Sequence, residues 1–142
     1  MMRQKTALIT GAARGIGLAT ARLMSEKNYK VAMIDRDGDE LKTVASSLNQ
    51  SKAFFCDVSI PADVENMING VINWAGQINV VVNNAGVADF GPIEETDFER
   101  WRKVMATNLD GVFLVSQASI SALKKTKGAF CLLYTSPSPR DL

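Results

Sequence analysis

The chain contains no histidine, which excludes both a histidine-based catalytic triad and a histidine metal site. Cysteine is nearly as scarce. Its two copies, Cys56 and Cys131, lie in apolar, strand-like runs and read as small buried hydrophobes rather than as a disulfide or a zinc site. An excess of either charge is missing too. Sixteen Lys and Arg against fifteen Asp and Glu leave a net charge of +1, interspersed along the chain, so no basic face is offered to nucleic acid. No apolar run approaches membrane-spanning length, and Met1 leads straight into a strand with none of the features of a secretory signal. The expectation is a cytoplasmic protein with no metal, membrane or nucleic-acid partner. Its 142 residues suffice for one domain with a real core.

What is present is an alternation of two patterns. Ala7–Ile9, Lys30–Asp35, Ala53–Val58, Ile78–Val82 and Gly128–Leu133 are short apolar runs that read as buried strands. Between them, apolar residues recur at steps of three and four. They predict helices from Gly17 to about Asn28, over Asp39–Leu48, and from Pro61 through Trp74 with Ser59 as its cap. A single long helix is predicted from about Asp97 to Lys124. This order makes an α/β protein with a doubly wound parallel sheet, whose ligand crevice lies at the C-terminal ends of the strands.

The polar clusters fall at those ends. After the first strand comes Thr10-Gly11-Ala12-Ala13-Arg14-Gly15-Ile16-Gly17, a glycine-rich bend opening onto a helix. Gly11 allows the sharp turn, and Gly15 and Gly17 let backbone approach backbone and leave room for a pyrophosphate against the first helical N–H groups. A plain turn with a tight helix–strand contact is the other reading of the same residues. Asp35 follows Gly17 by 18 residues, where a dinucleotide fold places the acid that reads the adenosine ribose. Such an acid favours NAD over NADP. Arg14 and Arg36 pull toward NADP, since a guanidinium at either position suits a 2′-phosphate. Asp57 reads either as an acceptor for an adenine amino group, with Val58 against the ring, or as a helix cap, and a cap is open to Asp35 as well. Asn83-Asn84-Ala85-Gly86 reads as a close approach to the cofactor or as turn chemistry.

The 3-1 glycine spacing of Thr10–Gly17, Asp35, Cys56-Asp57-Val58, Asn83-Asn84-Ala85-Gly86 and Asn108 in Thr107-Asn108-Leu109-Asp110-Gly111 together resemble the short-chain dehydrogenase/reductase family, over about residues 5 to 130. The resemblance implies an NAD(P)-dependent oxidoreductase of Rossmann type that passes hydride between a nicotinamide and a small alcohol or carbonyl substrate. It implies a cofactor bordered by Thr10, Gly11, Arg14, Gly15, Ile16, Gly17, Asp35, Arg36, Asp57, Val58, Asn84, Ala85 and Gly86. Asn108 matches the family's catalytic Asn, which interrupts regular helical bonding and holds a water in a proton relay. The long helix is apolar on more than one side, at Phe98, Trp101, Val104, Met105, Leu109, Val112, Phe113 and Val115. One stripe can cover the sheet, and the surplus suits the family's habit of pairing subunits through this helix.

The chain departs from the family at its end. The family's Ser after the fifth strand and its Tyr-x-x-x-Lys pair are missing: Tyr134 is followed at the fourth position by Ser138, and Ser136 and Ser138 lie in a Pro-rich run. The expectation is therefore a partial dinucleotide-binding domain over 1–131 with a non-family tail at 132–142, as in a truncated or frame-shifted reading. It would bind the adenosine half of the cofactor, be less stable than a whole domain and be inactive alone. A non-catalytic nucleotide-binding or interaction module on the same fold is the alternative.

Overall fold

The structure is a computed structural model and describes residues 3–133. Tyr134, Ser136 and Ser138 lie outside the described residues. The elements alternate as β1 (Thr6–Thr10), α1 (Gly15–Glu26), β2 (Lys30–Asp35), α2 (Gly38–Ser46), β3 (Ser51–Phe55), α3 (Pro61–Ala75), β4 (Val80–Asn83), α4 (Phe98–Met105), α5 (Gly111–Thr126) and β5 (Ala129–Leu132). A 3-10 turn at Ile93–Glu95 precedes α4. All pairings are parallel, in the order β3-β2-β1-β4-β5. The chain winds outward from β1 to β3, then crosses back to start again at β4. That reversal opens a crevice between the C-terminal ends of β1 and β4.

Strand alternation divides the core in two. Leu8, Ala32, Ile34 and Val81 point to one face, where Val64, Met67, Ile68 and Val71 of α3 and Val115 and Leu123 of α5 cover them. Ile9, Val31, Met33 and Val82 point to the other, against Ala21 of α1 and Leu41 and Ala45 of α2. Every residue of β1 is buried, as expected of a central strand apolar on both faces. Each large aliphatic side chain sealed in this way contributes roughly 1.5–3 kcal/mol relative to exposure.

Four expectations change. The long helix is not uniform, because Ala106–Asp110 is wound as a π-turn between α4 and α5. The extra residue in that turn brings Asn108 to the chain after β4. β3 ends at Phe55, so Cys56-Asp57-Val58 is a turn rather than strand, closed by Ile60 N–H donating to the Asp57 carbonyl at 3.0 Å. Ser59 is not the cap of α3: its hydroxyl donates to Asp57 Oδ1 at 2.6 Å, and Ile60 occupies the cap position. Cys131 also differs from expectation. It is exposed, because β5 forms the sheet edge among the described residues and all four of its residues face solvent. Among the described residues no helix is long and apolar enough to cross a membrane, and no three acidic or thiol side chains converge as a metal site.

Leu8→Ala is expected to cost about 2–5 kcal/mol in urea unfolding, since the side chain is sealed between α3, α5 and the sheet. Thr6→Val should have the opposite sign. The Thr6 hydroxyl is buried without a hydrogen-bond partner among the described residues, so its removal is expected to stabilise by about 1 kcal/mol.

Candidate functional site

The crevice at the strand ends has a volume of about 390 Å³, within the roughly 300–1,000 Å³ of small-molecule sites. Gly11, Arg14, Asp35, Arg36, Asp57, Val58, Asn84, Ala85 and Gly86 all line it, drawn from the C-terminal ends of the four strands β1 to β4. The bend after β1 is its floor. Gly11 has φ +64°, and a Cβ there would lie 2.9 Å from the Cα of Ala85. Gly17 abuts the Gly11 carbonyl so closely that any side chain would overlap it, and its imagined Cβ would also lie 2.6 Å from the Asn84 amide.

Gly15 works differently from expectation. A Cβ there meets nothing within 4 Å, so the requirement is its φ of +57° and not space. Thr10 has a structural role that the motif did not show. It is buried behind the crevice, where its Oγ1 accepts from the N–H groups of Asn84 (3.0 Å) and Ala85 (2.9 Å) and donates to the Val82 carbonyl. Thr10 therefore ties β1 to β4 and does not line the crevice. Gly15, Ile16 and Gly17 do not line it either: Ile16 is exposed on the first turn of α1, and Gly17 is buried behind the bend.

At α1 the residue in the cap position is Arg14, and no side chain bonds the first-turn amides; no acid stands in that turn. By contrast, Asp37 caps α2 and Asp97 caps α4. The first turn of α1 thus keeps free donors at its positive end, which favours an anion there.

Asp35 is held with its carboxylate in the crevice. Its Oδ2 accepts from the Ala13 N–H at 3.0 Å and its Oδ1 from the Asp37 N–H at 3.1 Å. Each oxygen keeps a lone pair for a further donor, the pattern that grips a diol. Asp57 is not a helix cap, since Ile60 holds the cap position of α3. Its Oδ1 accepts from the N–H (3.0 Å) and hydroxyl of Ser59, a turn-closing role, while the residue also lines the crevice. Partial burial disfavours its charge, but the Ser59 hydrogen bonds and Arg36 outweigh that and hold the carboxyl below the usual range.

Asn108 sits in the π-turn and clamps the backbone of Val87 from both sides. Its Oδ1 accepts from the Val87 N–H and its Nδ2 donates to the Val87 carbonyl, both at 2.8 Å. The interruption of regular helical bonding expected at Asn108 is present, and its amide is spent on positioning the Gly86–Val87 chain. Sequence reasoning missed Ile34, Asp37, Cys56, Val87 and Thr107, which also line the crevice. A turn after each strand was the available signal, since lining residues cluster within two or three positions of strand ends.

The profile described as short chain dehydrogenase matches residues 5–136. The chain belongs to the short-chain dehydrogenase family. It is 38% identical over 133 residues to meso-2,3-butanediol dehydrogenase of Serratia marcescens, covering 92% of this chain and 52% of that protein. It is 37% identical over 118 residues to D-threitol dehydrogenase of Mycolicibacterium smegmatis, covering 80% and 45% respectively. Among solved structures, an alcohol dehydrogenase from the archaeon Thermococcus sibiricus, complexed with 5-hydroxy-NADP, aligns with a TM-score of 0.87 and 35% identity, over 92% of this chain and 57% of that one. The chain spans about half the length of the curated relatives it matches. The fold is accordingly the Rossmann-type α/β sheet of an oxidoreductase family, and the glycine bend, the free α1 amides and the fixed Asp35 carboxylate fit a dinucleotide.

Gly17→Ala is expected to destabilise by about 3 kcal/mol or more because backbone has to move, whereas Gly15→Ala costs only about 1 kcal/mol of left-handed strain, both read by chemical denaturation. The Cys56 thiol, pushed up to about 12 chiefly by burial and then by Asp63 and Asp57, is expected to resist alkylation of the native protein at pH 8 while Cys131 labels. Because the folded state holds the Cys56 proton more tightly, its contribution to stability is complete below pH 9 and declines as pH rises toward 12.

Proposed function

We propose that residues 1–131 form the cofactor-binding part of an NAD(P)-dependent alcohol dehydrogenase or ketone reductase, with NAD the preferred cofactor. The observation that carries this reading is the Asp35 carboxylate, held in the crevice by the Ala13 and Asp37 amides beside an uncapped helix. A carboxylate so placed accepts from both ribose hydroxyls and repels a 2′-phosphate. The diphosphate would lie on the amides of α1, the adenine between Asp57 and Val58, and the chain Asn84-Ala85-Gly86 along the ribose and nicotinamide side. The bound nicotinamide supplies the hydride acceptor or donor, and the substrate is a small hydroxyl or carbonyl compound. Asn108 serves by holding the Val87 backbone and, through it, that side of the crevice.

The second reading is binding without turnover. The chain contains no Tyr-x-x-x-Lys pair, the family's general acid/base, so the present 142 residues are expected to bind cofactor but not to move hydride. Self-association through α4 and α5 is part of the proposal, since Phe98, Trp101, Leu109, Phe113 and Ile120 are all exposed along that surface. An exposed thiol at Cys131 suits the reducing cytoplasm.

Calorimetric titration with NAD+ tests the reading. Binding is expected for the native chain, and Asp35→Ala should weaken it by about tenfold or more, the loss of charge-assisted bonds to the ribose. Absence of binding, or indifference to Asp35→Ala, overturns the cofactor assignment. Turnover of any alcohol or ketone by the chain overturns the prediction of inactivity.

A further inference from the structure

Of the two guanidinium groups that line the crevice, Arg14 is already paired. Arg14 Nη2 donates to Asp37 Oδ2 at 2.7 Å and to Glu40 Oε2, and these two carboxylates belong to the cap and first turn of α2. The pair of acids holds the Arg14 guanidinium even more firmly protonated than usual, Glu40 contributing most. The second guanidinium, Arg36, lies beside Asp57. Asp35 joins these parts physically. One of its oxygens holds the amide of Ala13, adjacent to Arg14, and the other holds the amide of Asp37.

We propose that Asp37 and Glu40 are specificity-determining residues that latch Arg14 away from the ligand and so turn the site against a 2′-phosphate. The proposal rests on the reading of the crevice as an adenine-dinucleotide site. Two effects act together. A 2′-phosphate entering beside Asp35 meets Asp37 and Glu40 as like charges, and Arg14, one of the two guanidinium groups able to neutralise it, is already paired. The latch is breakable by design of its surroundings. The side chains of Arg14, Asp37 and Glu40 are 65%, 45% and 42% exposed, so the pair is hydrated and weakened by salt. Arg14 is long enough and free enough to turn to a ligand once its partners lose their charge. The acids thus set a preference without adding any contact to the preferred ligand, which is selection by penalising the competitor.

Titration of the full chain with NAD+ and with NADP+, in parallel, provides the test. For Glu40→Gln, NADP+ should bind about tenfold more tightly while NAD+ changes by less than about threefold, and adding Asp37→Asn should enlarge the ratio of NADP+ to NAD+ affinity further. Adding Arg14→Ala to the double variant should abolish the gain, and raising ionic strength should shrink the gap between wild type and variant. Far-UV circular dichroism establishes that each variant is folded; if the double variant fails this check, Glu40→Gln alone carries the test, since Asp37 also caps α2. NAD+ binding by wild type with no NADP+ gain in the variants overturns the latch but leaves the cofactor site standing. A gain that survives Arg14→Ala also overturns it, because repulsion alone would then explain the preference. Failure of the wild-type chain to bind either nucleotide overturns the cofactor reading and the latch with it.

Discussion

The carbonyl oxygen of Gly11 is the point on which this site depends. Gly17 packs directly against it, and the Asn84 amide donates to it at 3.2 Å and to the neighbouring Thr10 carbonyl at 3.0 Å. One peptide group therefore fixes the entry of α1, the end of β1 and the loop after β4 relative to one another. Thr10 reinforces the same knot from behind through the amides of Asn84 and Ala85. No side chain fits at Gly17, so the closeness of α1 to the sheet is enforced by backbone contact and not by adjustable packing. The uncapped amides of α1 therefore stand beside the bend, where this knot pins the start of the helix.

The architecture was legible because the strands are apolar on both faces and the helices on one. A run such as Val31-Ala32-Met33-Ile34 suits only a strand covered from both sides, and that alone implies a parallel sheet. Most of the crevice was legible for a related reason. In a doubly wound sheet the residues that end the strands must converge, so Asp35, Asp57 and Asn84 could be assembled from sequence position alone. What stayed hidden depends on distances between segments far apart in sequence. The π-turn at Ala106–Asp110 leaves no trace in apolar spacing, because one extra residue in a turn alters the bonding more than the periodicity. Thr10 and Gly17 read as ligand contacts in the motif, and what the motif did not reveal is that both also serve the knot. Gly15 looks like a site of close approach, yet it is a site of positive φ. Cys131 reads as buried by its apolar neighbours, but burial belongs to the covering layer, and β5 lacks one among the described residues.

The placing of acids along the chain makes the same point about function from another direction. Acidic residues favour the positive end of a helix, and α2, α3 and α4 each carry at least one in the first turn: Asp39 and Glu40, Asp63, and Glu99. The first turn of α1 is Gly15-Ile16-Gly17 and has none, nor does a side chain cap it. For stability alone an Asp or Ser at position 14 would satisfy those amides and contribute about 1 kcal/mol. Arg14 occupies that position instead, which leaves the amides open and turns a cation toward α2. The helix that faces the crevice thus forgoes the stabilisation that its neighbours use. Helix α5 also lacks an acid and a cap, but it runs on directly from the π-turn. The helix that starts afresh from a loop without either is α1, and it does so beside the glycine bend, the expected signature of a site whose missing negative charge arrives with its ligand.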